Sequence, residues 1–208
     1  MRVLALSDVH FALEELEMLA EKAGNCDLCL LAGDLADYGC MEDGKAAVAA
    51  LPKPCYAVPG NMDSSDVLKA IEKAGISVHG KVKRFQGFKI AGFGGGYFGS
   101  PGGLNFSEEE IWKKISLLGI DENTLMLSHI PPAESRLDFA NSGMHIGGKS
   151  IRRAVEEFQP LLLVSGHCHE SFGKEEIGKT LCVNPGSVRD GRAAVVELPS
   201  KRIEFLEL

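Results

Sequence analysis

The sequence predicts an α/β layered fold, and three observations carry that prediction. Up to residue 75, short runs of consecutive apolar residues alternate with segments of helical period, an order that suits parallel strand pairing. Between residues 76 and 93 the pattern changes to short β-type pieces broken by glycine. From residue 173 onward, three or four strand-like segments follow one another across turn residues, as in antiparallel hairpins.

The elements follow in order. Residues 2–7 read as a buried strand, followed by Ser7-Asp8-Val9-His10 and a helix carrying Leu13, Leu16, Leu19 and Ala20, closed by Gly24. Leu28 to Ala32 is a second apolar strand, stopped by Gly33-Asp34. An alanine-rich helix covers about 41–51. The third strand, Cys55 to Val58, runs into Pro59-Gly60-Asn61, and a helix at about 65–74 ends at Gly75. Short β pieces are expected at 76–78, 82–85 and 88–93, then a glycine-dense loop from Gly92 to Gly103. No helix opens behind that loop and Pro101 interrupts it, which argues against a dinucleotide site. Ser107-Glu-Glu-Glu110 has the form of a capping box for a helix with Trp112 that ends near Gly119. Leu125 to Ser128 is a buried strand ending in His129-Ile-Pro-Pro132. A polar loop (133–147) holds Arg136, Asp138 and His145, and a helix at 149–158 leads to the apolar run Leu161 to Ser165. The last strands are expected at about 173–178, 180–183, 193–198 and 202–207, antiparallel and hairpin-linked.

With 208 residues the chain fits one domain, residues 1–208, around one sizeable core. Apolar residues are 45% and charged residues 25%, as in an ordinary globular protein. A net charge of −7 without a basic tract argues against a nucleic-acid partner held by a positive surface. The N-terminus turns polar and acidic too early for a signal peptide, and no stretch nears the ~20 apolar residues of a membrane span. A cytoplasmic location off the membrane is therefore expected, with six reduced cysteines. Cys26-Asp-Leu-Cys29 has the spacing of a zinc knuckle, but no second pair follows, so it reads as structural.

The chemistry gathers at strand ends. Five apolar strands each terminate in a potential metal ligand: Asp8 and His10, Asp34, Asn61, His129, then His167 and His169. Sites in layered α/β folds form beyond the carboxyl ends of strands, where loops converge over a fixed scaffold. In Gly166-His167-Cys168-His169 the two imidazoles are spaced so that both can face one ion, the plain alternative being two loop histidines without a ligand. Imidazole suits zinc, iron, nickel, manganese or cobalt. Two ions about 3.5–4 Å apart need an anionic bridge, and Asp34 is the natural one.

Asp8-x-His10, Gly33-Asp34, Gly60-Asn61, His129 and Gly166-His167-x-His169, in that order, resemble the calcineurin-like metallophosphoesterase family, and the chain's length resembles its small stand-alone phosphodiesterases. The resemblance implies a β-sandwich of two mixed sheets flanked by helices, with a site for two divalent metal ions, manganese favoured, at one edge. It assigns Asp8, His10, Asp34 and His169 to one metal, and Asp34, Asn61, His129 and His167 to the other. It implies in-line attack on a phosphodiester by a hydroxide between the metals, with a small phosphoester or nucleotide as substrate. One departure stands out. Many relatives have His after the Asn, where this chain has Met62, and a thioether cannot donate a proton.

Two further residues are catalytic candidates. Asp63 either orients a metal ligand or caps the following helix. His145, in Gly143-Met-His-Ile-Gly147, contacts the substrate phosphate or the leaving group, or is a solvated loop histidine. Arg136 is expected in a surface ion pair and His79 in a structural role. Asn184-Pro-Gly-Ser187 reads as a turn against the site loops. Two rival functions share the pattern: a protein-binding scaffold that has lost turnover, whose mark would be eroded ligands, and a nuclease, against which the acidic charge counts. Oligomeric state is left open.

Overall fold

The computed structural model of the chain describes residues 1–97 and 102–208, so positions 98–101 of the glycine-dense stretch, Pro101 among them, lie outside the described residues. Among the described residues, eleven strands form two mixed sheets. The first sheet has the order β11(Arg202–Glu207), β10(Arg192–Glu197), β1(Arg2–Leu6), β2(Leu28–Ala32), β3(Cys55–Val58), with β1, β2 and β3 parallel. The second has the order β4(Lys81–Phe85), β5(Phe88–Phe93), β6(Thr124–Ser128), β7(Leu162–Val164), β9(Thr180–Asn184), β8(Gly173–Ile177), with β5, β6, β7 and β9 parallel.

The period of two along each strand explains the layering. Val3 and Ala5 of β1 face the interior between the sheets, with Leu28 and Leu30 of β2, and meet Ile90, Leu125, Leu127 and Val164 of the second sheet. Leu4 and Leu6 point the other way, onto helices α1(Leu13–Ala23), α2(Met41–Ala50) and α3(Ser65–Lys73), where Leu16, Ala47 and Ile71 receive them. The second sheet turns Ala91, Met126 and Leu163 outward onto α4(Glu108–Ile115) and α5(Lys149–Phe158), through Ile111, Ile151 and Ala154. Central strands covered on both faces must be apolar through their middle, hence the unbroken runs at 28–32 and 125–127. Each fully buried Leu or Ile contributes roughly 1.5–3 kcal/mol. The β-sandwich flanked by helices is as expected, and α4 opens with the predicted Ser107/Glu110 capping box.

Two expectations are corrected. Residues 76–78 form no strand; Ser77 makes a single bridge to Ala57, because the chain there only skirts the edge of β3. The last four strands form two antiparallel hairpins, β8–β9 and β10–β11, as expected, but the hairpins do not join in one run. β9 inserts parallel to β7, and the turn after it carries the chain into the other sheet, where β10 pairs with β1. That turn is the one predicted at 184–187: the Asn184 side chain accepts from Gly186 N–H (3.0 Å) and donates to Cys168 O (2.8 Å).

Candidate metal centre

The parallel strands of both sheets end on the same side, and their loops are knitted by backbone hydrogen bonds: Asp8 N–H to Gly33 O, His10 N–H to Asp34 O and Gly166 N–H to His129 O, each 3.0 Å. Asp8, His10, Asp34 and His167 hold φ of +55°, +46°, +52° and +68°. This left-handed backbone costs non-glycine residues roughly 1–3 kcal/mol each and turns the side chains back over the strand ends. It also breaks strand alternation at His167, so the two imidazoles of His167 and His169 do not face one point as their spacing suggests. The His169 ring pairs with His10 (centroids 5.5 Å) and the His167 ring with His129 (5.1 Å).

Close approach explains the glycines. A Cβ on Gly60 would lie 2.0 Å from Asp34 Oδ1, and one on Gly166 would lie 1.7 Å from Ser7 Oγ and 2.4 Å from Asp8 Oδ2. Each glycine is the space into which the carboxylate loop of a neighbouring strand projects.

All seven expected ligands come together. Asp8, His10 and His169 present donor atoms to one point, and Asp8, Asp34 and His129 to a second. Asp34 Oδ2 lies 3.9 Å from His10 Nε2 and 3.3 Å from His129 Nε2, and Asp8 is the residue common to both groups. Asn61 Oδ1 is 2.9 Å from His129 Nε2, and His167 lines the same pocket.

The donor chemistry fits divalent cations. The fully buried His129 has Nδ1 2.8 Å from the Ala32 carbonyl, so that nitrogen carries the hydrogen. Nε2 of the neutral ring then turns a lone pair toward the oxygens of Asn61 and Asp34, an arrangement that needs a cation among them or a proton on the ring. Asp8 Oδ1 is buried without a hydrogen-bond partner, although His169 Nε2 comes within 3.2 Å. An orphaned buried anionic oxygen calls for a positive partner. Burial alone would lower the His129 pKa, but the Asp34 and Asp8 charges push it up to about 10. Burial would raise Asp8, yet the close His169 and the charges of His129 and His169 hold it below the ordinary carboxylate range. Burial, with the adjacent His129, pulls His167 down to about 4 and keeps it a neutral donor.

Asp63 lies beneath the pocket, fully buried. Oδ2 accepts from Gly60 N–H (2.8 Å) and Leu35 N–H (3.3 Å), and Oδ1 from Ala36 N–H (3.0 Å), which locks the Asp34 and Asn61 loops to each other. Burial and the Asp34 charge push its pKa up to about 7 against those three donors. The cap of α3 is Ser64.

His145 is anchored to the fully buried Asp138, with Nδ1 2.6 Å from Oδ1, so it is not a free loop histidine. That hydrogen bond raises its pKa above the usual histidine value. It lines a cavity that also reaches His167. Arg136 does not enter the pocket beside the cluster; its backbone N–H donates to Glu175. His79 lies outside it, its ring 4.2 Å from that of Phe93.

Three pocket residues, Asp37, Tyr38 and Arg189, escaped the sequence reading. Asp37 Oδ1 sits 2.5 Å from His10 Nδ1 and orients that ring, and Arg189 lines the mouth with Nη1 3.6 Å from Asp37 Oδ2. Asp37 follows Asp34 by three residues, a signal that was available. Arg189 arrives through the 184–187 turn, whose Ser187 hydroxyl donates to Asp8 O (2.9 Å), and nothing local announces it.

A two-sheet sandwich with carboxylate, imidazole and amide donors at its strand ends defines a metal-dependent hydrolase scaffold. The profile of the calcineurin-like phosphoesterase family matches residues 1–171, and the chain belongs to that family. It is accordingly a hydrolase of phosphoesters that works with divalent metals. An uncharacterised protein of Methanocaldococcus jannaschii, MJ1162, is 29% identical over 195 residues, 89% of this chain and 88% of that one. The crystal structure of TT1561 of Thermus thermophilus shares the fold with a TM-score of 0.80 at 22% identity, over 99% of this chain and 98% of that one. A structure described as a novel archaeal phosphodiesterase covers 100% of both chains with a TM-score of 0.55 at 14% identity. No helix among the described residues is long and apolar enough to cross a membrane.

Proposed function

We propose that the protein is a phosphodiesterase using two divalent ions, manganese favoured, held by Asp8, His10, Asp34, Asn61, His129, His167 and His169, and that residues 1–208 act as one unit. The observation that carries this reading is the convergence of metal-ligating side chains in two groups, Asp8, His10 and His169 in one and Asp8, Asp34 and His129 in the other. Mixed oxygen and nitrogen donors suit manganese, as they suit iron, cobalt, nickel and zinc. Bound there, two divalent cations supply charge neutralisation at phosphorus and a water acidic enough to attack it in line.

The chain's own residues do the rest. Asp34 would help hold the ions, Asp37 fixes the His10 ring and Asp63 holds the loop amides. Among the described residues lining the pocket, Arg189 carries the one guanidinium or ammonium group, and Asp37 already neutralises part of it. So little added positive charge favours the monoanion of a diester over a monoester dianion. With Met62 after Asn61, the acid for the leaving oxygen is His145, whose charged form the hydrogen bond to Asp138 favours. A reducing, cytoplasmic setting belongs to the same proposal, with Cys29, Cys55, Cys168 and Cys182 buried as small apolar side chains. The test is manganese-supported hydrolysis of bis(4-nitrophenyl) phosphate by wild type and Asp34→Asn. Turnover in the wild type and at least ~10²-fold loss in the variant are expected, and full turnover in Asp34→Asn sinks the two-ion mechanism.

A further inference from the structure

A cavity of ≈ 680 Å³ opens beside the cluster and shares His167 with it, a volume within the usual range for a small-molecule site. Its walls are mainly ring, thioether and alkyl surface from Tyr97, Phe106, Met144 and Ile146, with Ser107, Glu108, His145 and Lys149 also in the lining. The aromatic side is rigid. Tyr97 donates its hydroxyl to Glu108 Oε2 (2.9 Å), and a Cβ on Gly148 would lie 2.3 Å from its oxygen. Phe106 stands edge-on to Phe93 at 4.9 Å and packs on Gly95, where a Cβ would come within 2.7 Å of the ring. The Glu108 carboxylate at the border is spent on Tyr97 and on the N–H groups of Lys149 and Ser150, at 2.8 and 2.7 Å. The opposite rim is adjustable: Met144 is 61% exposed, a flexible thioether over the opening.

We infer that this cavity is the subsite for one organic substituent of the phosphoester, and that the substituent is an aromatic ring. The inference rests on the phosphoesterase reading of the cluster, since the phosphate must sit there for its ester group to pass His167 and His145. A flat ring meets the fixed Tyr97 and Phe106 faces edge-on or offset. Ser107, Glu108, His145 and Lys149 could meet a few polar atoms, but most of the wall is apolar, so a ring gains more from burial there than a sugar or peptide group does. Transfer of a phenyl-sized group from water to such a wall favours binding by about tenfold or more.

The test separates subsite from catalysis. Manganese-loaded protein is titrated calorimetrically with phenylphosphonate and methylphosphonate, which share the anion and resist hydrolysis. Phenylphosphonate is expected to bind about tenfold or more tightly, and Phe106→Ala and Met144→Asp each to reduce the preference below about threefold. Met144 is at the surface, so its variant keeps the test valid should Phe106→Ala fail to fold. Equal affinities, no binding of either phosphonate, or a preference that survives both substitutions overturns the subsite. Hydrolysis of bis(4-nitrophenyl) phosphate is measured alongside. Turnover without the preference refutes the subsite alone, and the preference without turnover refutes the catalytic reading alone.

Discussion

Asp138 Oδ1 lies 2.6 Å from His145 Nδ1, and the same carboxylate accepts backbone N–H groups from Glu134, Ser135 and Gly147 at 3.0, 3.0 and 3.1 Å. A buried acid pinned by three amides cannot follow the imidazole if it swings away, so His145 is oriented rather than merely paired. The hydrogen bond raises the His145 pKa. As a proton donor His145 is active when charged, so turnover of a diester with an alkoxide leaving group falls as pH rises through that raised value. Asp138→Asn removes the charge that raises it, and the falling limb of kcat moves to lower pH. His145→Gln lowers kcat by about 10²-fold or more for alkyl leaving groups and much less for 4-nitrophenolate, which leaves without a proton. Profiles of kcat against pH on the two substrate types check this; an unmoved limb in Asp138→Asn rejects the dyad.

The cluster also makes a stability prediction that needs no substrate. Asp8 and Asp34 face each other's imidazole partners, and a cation that binds only the folded site stabilises it in proportion to RT ln(1 + [L]/Kd). At manganese one hundred times its Kd the gain is about 2.7 kcal/mol, lost on chelation. In Asp34→Asn the metal-induced rise in melting temperature should shrink to a small fraction of the wild-type rise. Calorimetric melting with and without the ion decides.

Much of this was legible because each candidate ligand abuts an apolar run: Leu28 to Ala32 stops at Gly33-Asp34, and Leu162 to Val164 at Ser-Gly-His167. A run of that kind has to be a buried strand, and the polar residues behind it have to lie at the strand's end. The left-handed backbone at Asp8, His10 and His167 was not legible, because it is imposed by loops packed from other strands. Nor were the crossing of β10 to the first sheet and the arrival of Arg189, since both hang on the turn that binds Asp8 through Ser187. Asp138 stands in plain view in the polar loop, but its role does not show there. Only the folded loop brings residues 138 and 145 within hydrogen-bond distance.

The glycines before the ligands give a prediction that local propensity does not. Alanine is ordinarily the milder choice in a loop, yet a methyl on Gly166 would fall 1.7 Å from Ser7 Oγ and 2.4 Å from Asp8 Oδ2. Ser7 and Asp8 must then retreat, and with them one of the two donor groups. Gly166→Ala is expected to cost about 1–3 kcal/mol of stability and to weaken the metal-induced rise in melting temperature further than that loss accounts for. Gly75→Ala provides the contrast. Nothing lies within 4 Å of a Cβ there, so its cost is only the backbone strain of φ +74° and its metal response is that of the wild type.

His79 supplies a pH dependence away from the metals. Its Nδ1 accepts the Gly94 N–H at 3.1 Å, its ring packs 4.2 Å from Phe93 and 5.6 Å from Phe106, and burial brings its pKa down to about 4. Because the folded value is depressed, the unfolded chain binds this proton first as pH falls. Its contribution is therefore intact above about 6.5 and is lost progressively down to about 4, up to about 3 kcal/mol in total. His79→Asn keeps an acceptor for Gly94 and does not titrate. The variant loses ring packing and is less stable at pH 7.5, but its stability should fall less steeply than that of the wild type between pH 6.5 and 4.5. Urea unfolding across that range measures the two slopes. Parallel slopes would mean that His79 takes up its proton in the folded protein as readily as in the unfolded chain, which its burial against Phe93 does not allow.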